Sequence, residues 1–116
     1  MEVMEILKTA VCALDSKKAM NINAVRIEDL TVIADYFVMA TATSSTHVRA
    51  LAEEVEYQLD LKNKPVHHIE GKGTGWILLD YGSVIVHVFS REAREFYGLD
   101  QTWADGEQID IDKFLA

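Results

Sequence analysis

The sequence has little cysteine, little proline, no long apolar run and a deficit of basic charge. Its 116 residues include one cysteine, Cys12, so no intramolecular disulfide can form. A lone thiol fits a reducing compartment. Cys12 lies in a helical pattern with no His beside it in sequence, and reads as buried packing rather than as a nucleophile. The one proline, Pro65, follows a helical stretch. No linker, repeat or low-complexity tract divides the chain, and its length suits one core. No apolar run reaches the ~18 residues a membrane helix needs. The start, "MEVMEILKTAVCALDSKK", carries Glu2 and Glu5. It is neither the basic, continuously apolar leader of a secreted chain nor an Arg-rich transit segment. A cytoplasmic domain with no membrane association is expected.

Eleven Lys and Arg stand against 19 Asp and Glu, a net charge of −8. Affinity for nucleic acid comes mainly from cations that neutralise phosphates. With no basic run, direct DNA or RNA binding is not expected. A basic protein surface is the better complement, because opposite potentials speed encounter and reject wrong partners. Composition alone goes no further than solubility.

What is present reads as alternating elements. Val3, Ile6, Leu7, Ala10, Val11 and Leu14 recur at helical spacing and predict a helix over about 2–17. "AVRIEDL" (24–30) alternates like a strand. "DYFVMAT" (35–41) is nearly all apolar, as in a strand covered on both faces. Ser44 or Ser45 can cap a helix whose buried face is Val48, Leu51, Ala52, Val55 and Leu59. "VHHIE" (66–70) is a third strand. Residues 76–81 and 84–89 form a hairpin closed at Gly82. Ser90 caps a short helix that Gly98 ends. The unit over 35–70 should be a right-handed parallel crossover. The expected fold class is α/β, a mixed sheet of about five strands with packed helices.

Several patterns suggest chemistry and fall short of it. "GKGTG" (71–75) looks like a phosphate loop, but such loops precede a helix and these glycines precede a strand. Gly82-Ser83 with Asp110 and Asp112 loosely resembles a nucleotidyltransferase, whose paired carboxylates hold Mg²⁺. Here Gly-Ser joins two strands and the acids lie far downstream. His67 and His68 point to opposite faces of a strand, and His47 has no ligand at metal spacing. No metal or cofactor is expected. His87 shares a strand face with Ile85 and Phe89. One His on an apolar face reads as a core residue, since a catalytic His needs a nucleophile or an orienting acid. Trp76 shares a face with Leu78 and Asp80, just after the glycine turn. Trp is also the residue type enriched at interface hot spots. With Trp103 and several Tyr and Phe flanked by acids, it suggests an apolar patch with a negative rim.

The blocks "ADYFVMAT" (34–41), "SSTHVRALAEEVEYQL" (44–59), "EG" (70–71), "WILLDYGSVIVHVF" (76–89) and "REFYGLDQTW" (94–103) occur in one order. In that order they resemble the ribosomal silencing factor family, also called Iojap or RsfS. The resemblance runs from about residue 3 to 104. It implies a domain over 1–104, followed by an acidic C-terminal tail over 105–116. It implies a nucleotidyltransferase-like fold without catalytic carboxylates, and no enzymatic activity. The partner it implies is the large ribosomal subunit, bound through ribosomal protein L-fourteen (uL-fourteen). Occupying that face would block joining of the small subunit and repress translation under nutrient limitation.

Carried over by position, the recognition surface is Trp76, Asp80 and Tyr81, with Glu70, Asp100 and Trp103 as additions. Trp76 and Tyr81 would supply contact area, and the acids would face Lys or Arg. Strand alternation places Trp76 and Tyr81 on opposite faces, so either the turn rotates Tyr81 or one of the two is core. The chain departs from the family pattern at Thr102, usually Leu, and at Asp100, usually Glu. Beyond residue 104, Ile109, Ile111, Phe114 and Leu115 could fold back or support a homodimer. Two other functions are open to the sequence. One is a metal-dependent nucleotidyltransferase-fold enzyme using Asp110 and Asp112. The other is a dimeric scaffold that uses the Trp and Tyr patch on itself.

Overall fold

The computed structural model describes residues 2–115, so residues 1 and 116, at the outer ends of the two expected segments, lie outside it. Helix α1 (Val3–Ser16) buries Ile6, Leu7, Ala10, Val11 and Leu14, a stripe at three- and four-residue steps. Helix α2 (Ser45–Leu61) repeats the device with Val48, Leu51, Ala52, Val55 and Leu59. Its start is fixed by Ser44, whose hydroxyl accepts the His47 amide proton at 3.1 Å. The two helices pack side by side on one face of the sheet.

Among the described residues six strands form that sheet. They are β1 (Met20–Arg26), β2 (Tyr36–Ala42), β3 (His68–Glu70), β4 (Trp76–Asp80), β5 (Val84–Ser90) and β6 (Glu107–Ile109), in the spatial order β3-β4-β5-β2-β1-β6. β2 and β5 run parallel in the centre, and the other neighbours are antiparallel. The central pair is buried on both faces, which is why both strands read as continuous apolar runs. Val84, Val86 and Val88 meet α1 and α2. Ile85 and Phe89 join Val25, Ile27, Phe37 and Met39 in a second cluster on the opposite face. Among the described residues the helices over that face are two short ones, α3 (Arg91–Tyr97) and α4 (Leu99–Thr102). Ser90 caps α3 by accepting from the Ala93 amide, and Gly98 ends it at φ 60°.

Three expectations change. The sheet has six strands instead of five, and the sixth comes from the stretch expected as a tail. β6 pairs with β1 through Ala24↔Ile109 and Arg26↔Glu107, covering an edge that β1 would otherwise leave open. Helix α5 (Asp112–Leu115) then sets Phe114 against α1, and the Cys12 thiol donates to the Phe114 carbonyl at 3.3 Å. Ile109, Ile111 and Phe114 therefore fold back onto the core, while Leu115 stays exposed. Second, β3 runs parallel to β2 but is not its neighbour. β5, buried along almost its whole length, takes the central place, while three-residue β3, with two exposed side chains, takes the edge. Third, β1 starts at Met20, four residues early, and has an irregular register between Met20 and Asn23 where Asn21 adopts φ 50°.

Candidate functional site

The hairpin of β4 and β5 sets the site. Residues opposite each other in an antiparallel pair share a face. Trp76 lies opposite Phe89, Leu78 opposite His87 and Asp80 opposite Ile85. β3 adds Glu70 opposite Leu78, and His68 opposite Asp80. Trp76, Asp80 and Glu70 therefore share the face covered by the short helices, and Trp103 packs on that same cluster. α3 meets β4 at Trp76 through Tyr97 and leaves Trp76, Leu78 and Asp80 partly exposed, while Ile77 and Leu79, under α2, are buried.

The rings on this face form a continuous series. Trp76 stacks on Phe89 with centroids 5.2 Å apart and meets Tyr97 at 4.6 Å. The Trp76 indole Nε1–H donates to His87 Nδ1 at 3.1 Å. Phe37 meets His87 edge-on at 4.6 Å and Trp103 edge-on at 5.4 Å. Such offset and edge-to-face contacts add to the area buried. His87 is 3% exposed, and burial pushes its pKa down to about 4, so the ring is neutral near pH 7. Tyr97 is half-exposed and Phe96 82% exposed, and a groove of about 530 Å³ runs past Trp76, Ala93, Phe96 and Tyr97. Phe96 and Tyr97 were not singled out as contacts from sequence, although the "EFY" before Gly98 was their signal.

The loop before Trp76 is built to present it. Residues 71–75 join β3 to β4 and hold no helix start. Gly71 has φ 88°, and any side chain there would collide with the Trp76 carbonyl. The Thr74 hydroxyl donates to the Gly71 carbonyl at 2.7 Å.

Two expected contact residues are placed otherwise. Tyr81 is 1% exposed and belongs to the cluster under α1 and α2. The turn does not rotate it: Asp80 accepts the Gly82 amide at 2.7 Å, Gly82 takes φ 85°, and Tyr81 simply continues the alternation. Burial, then the nearby Glu56 and Asp60, push the Tyr81 hydroxyl well above its ordinary pKa. Tyr81 is core and offers no contact surface. Asp100 is already paired. Arg94 holds it with two hydrogen bonds of 2.9 Å, from Nε and Nη2. These hold the Asp100 carboxyl below the usual carboxylate range, against its partial burial. Arg94 Nη1 also donates to the Asn21 carbonyl at 2.6 Å and the Thr41 hydroxyl at 3.0 Å. Asp100 thus closes a clamp that pins α3 and α4 to the sheet, and it does not project a free charge. Glu70 is exposed, with His68 Nε2 at 3.2 Å.

The groups considered for metal chemistry are scattered. Asp110 accepts the Asp112 amide at 3.1 Å in the turn into α5, so the two acids do not line one strand face. Both His47 ring nitrogens are engaged, Nδ1 by the Thr43 amide and Nε2 by the Lys17 carbonyl. Among the described residues no group of three or more His, Cys, Asp or Glu could hold a metal ion. A cleft of about 660 Å³ lies where β2 and β5 end, between the start of α2 and the glycine loop, and Glu92 is the one acid lining it among the described residues. Among the described residues no helix is long and apolar enough to cross a membrane.

A family model described as "Ribosomal silencing factor during starvation" matches residues 1–116. A Bacillus subtilis protein named ribosomal silencing factor RsfS is 37% identical, over 97% of this chain and 96% of that protein. The crystal structure of a Chromobacterium violaceum protein matches with a TM-score of 0.87 and 32% identity, covering 90% of this chain and 88% of that one. A Mus musculus protein named mitochondrial assembly of ribosomal large subunit protein 1 is 30% identical, over 80% of this chain and 42% of that protein. Matched from end to end, and carrying the sequence blocks whose resemblance first suggested it, the chain belongs to the ribosomal silencing factor family.

Proposed function

We propose that this chain binds the large ribosomal subunit in the cytoplasm through ribosomal protein L-fourteen, using the face that carries Trp76. Seated there, it blocks the small subunit sterically and represses translation under nutrient limitation, with no catalytic step. The observation that carries the reading is the partly exposed ring series around Trp76, with Glu70 and Asp80 beside it, on the thinly covered face of a chain of charge −8. An apolar centre rimmed by acids is the complement of a basic protein surface. The name of the mouse relative points to the same subunit.

Binding of purified large subunits, and of isolated L-fourteen, tests this reading. Trp76→Ala is expected to cost ~2–4 kcal/mol, and Glu70→Gln less, because rim charges are hydrated. Added salt is expected to slow association by screening. Undiminished binding by Trp76→Ala to both would contradict the assignment.

A further inference from the structure

His87 is held in a way that core packing does not explain. It sits between Ile85 and Phe89 on β5, 3% exposed, among apolar rings. Among the described residues the ring's one hydrogen bond is the one that Nδ1 accepts from Trp76 Nε1–H, and its Nε2 has no partner. An indole nitrogen can only donate, so Nδ1 is the bare nitrogen of the ring. The neutral imidazole then carries its proton on Nε2 and buries that donor unpaired. An unpaired buried donor destabilises a fold. Phe at this position would keep the contacts with Phe37, at 4.6 Å, and Phe89, at 5.9 Å. The core thus keeps a costly polar ring whose partnered atom serves Trp76.

We propose that His87 is a positioning residue for partner recognition. It fixes the rotation of the Trp76 indole, with the N–H turned inward and the ring stacked on Phe89 and tilted against Tyr97. Trp76 then offers its partner carbon surface only. The complementary pocket is apolar and supplies no acceptor for the indole N–H. This rests on the assignment of Trp76 to the partner surface made above.

Three variants and three readouts test it: His87→Phe, His87→Asn and Trp76→Ala, with Tm, exchange of the Trp76 indole proton by NMR, and affinity for the large subunit. His87→Phe keeps a flat aromatic ring, larger than imidazole, and removes the acceptor. Its Tm is expected to stay within about 5 °C of wild type, because loss of the unpaired Nε2–H is offset by the larger ring and the released indole N–H. Its indole proton should exchange at least about tenfold faster, and its affinity should fall about tenfold. His87→Asn, whose side-chain oxygen stands near the place of Nδ1, should restore protection and much of the affinity, at a lower Tm. Equal indole protection in His87→Phe, or unchanged affinity, would overturn the proposal. So would lost affinity accompanied by a Tm fall well beyond about 5 °C in His87→Phe, which would mark the ring as simply structural. If Trp76→Ala binds as well as wild type, the surface assignment fails instead, and indole exchange still decides whether His87 holds the ring.

Discussion

Trp76 and Tyr81 are five residues apart on one hairpin, and the sheet sends them to opposite sides. The alternation that placed them so was legible in the sequence, and so was the apolar face shared by Ile85, His87 and Phe89. The hydrogen bond from Trp76 to His87 was not, because periodicity gives a side chain's face and never its partner. At this scale His87 also makes stability depend on pH. Its folded pKa is depressed to about 4 from 6.5. Between those values the unfolded chain takes up a proton that the folded chain refuses, so stability falls as pH drops from about 6.5 towards 4 and is fully present above 6.5. A shift of this size corresponds to about 3 kcal/mol. Urea unfolding of wild type at pH 7 and pH 4.5 should show most of that loss, and His87→Phe should remove it. The Asp100 carboxyl, also depressed, loses its contribution at lower pH, as pH falls through and below the usual carboxylate range. An equal acid loss in wild type and His87→Phe would contradict the assignment.

Among the elements, those with strong periodicity were readable. α1, α2 and the hairpin of β4 and β5 follow from apolar spacing, a Ser cap and a glycine turn. β6 was not readable, since three residues amid acids carry almost no strand signal, and only the open edge of β1 gives them a place. The clamp of Arg94 on Asp100 was equally hidden, because the chain reverses at Gly98 and brings together residues six apart, outside helical pair spacing. That clamp predicts local behaviour. Arg94→Ala leaves the partly buried Asp100 without its cation and frees Asn21 and Thr41, a loss of about 2 kcal/mol. The loss should appear first in α3 and α4. Amide exchange at Gly98, Thr102 and Trp103 should quicken well before that at Val55 in α2. Uniform quickening across both helices would show that the clamp supports the whole fold.

For the molecule as a whole, the two faces of the sheet divide the work. One face is closed by two long helices and supplies the main core, and the other is closed only partly and keeps aromatic surface available. The large net negative charge is legible from composition, and the proposed function sets the partly exposed rings around Trp76 at its centre. The family's sequence blocks named the hairpin, and the fold decided which side of it can touch anything. Subunit joining tests the central claim most directly. Purified small and large subunits are mixed with wild type or with Trp76→Ala, and full ribosomes are counted by gradient sedimentation. The account predicts that wild type prevents joining and that the variant, at the same concentration, does not. Full ribosomes forming as freely with wild type as without it would contradict the account.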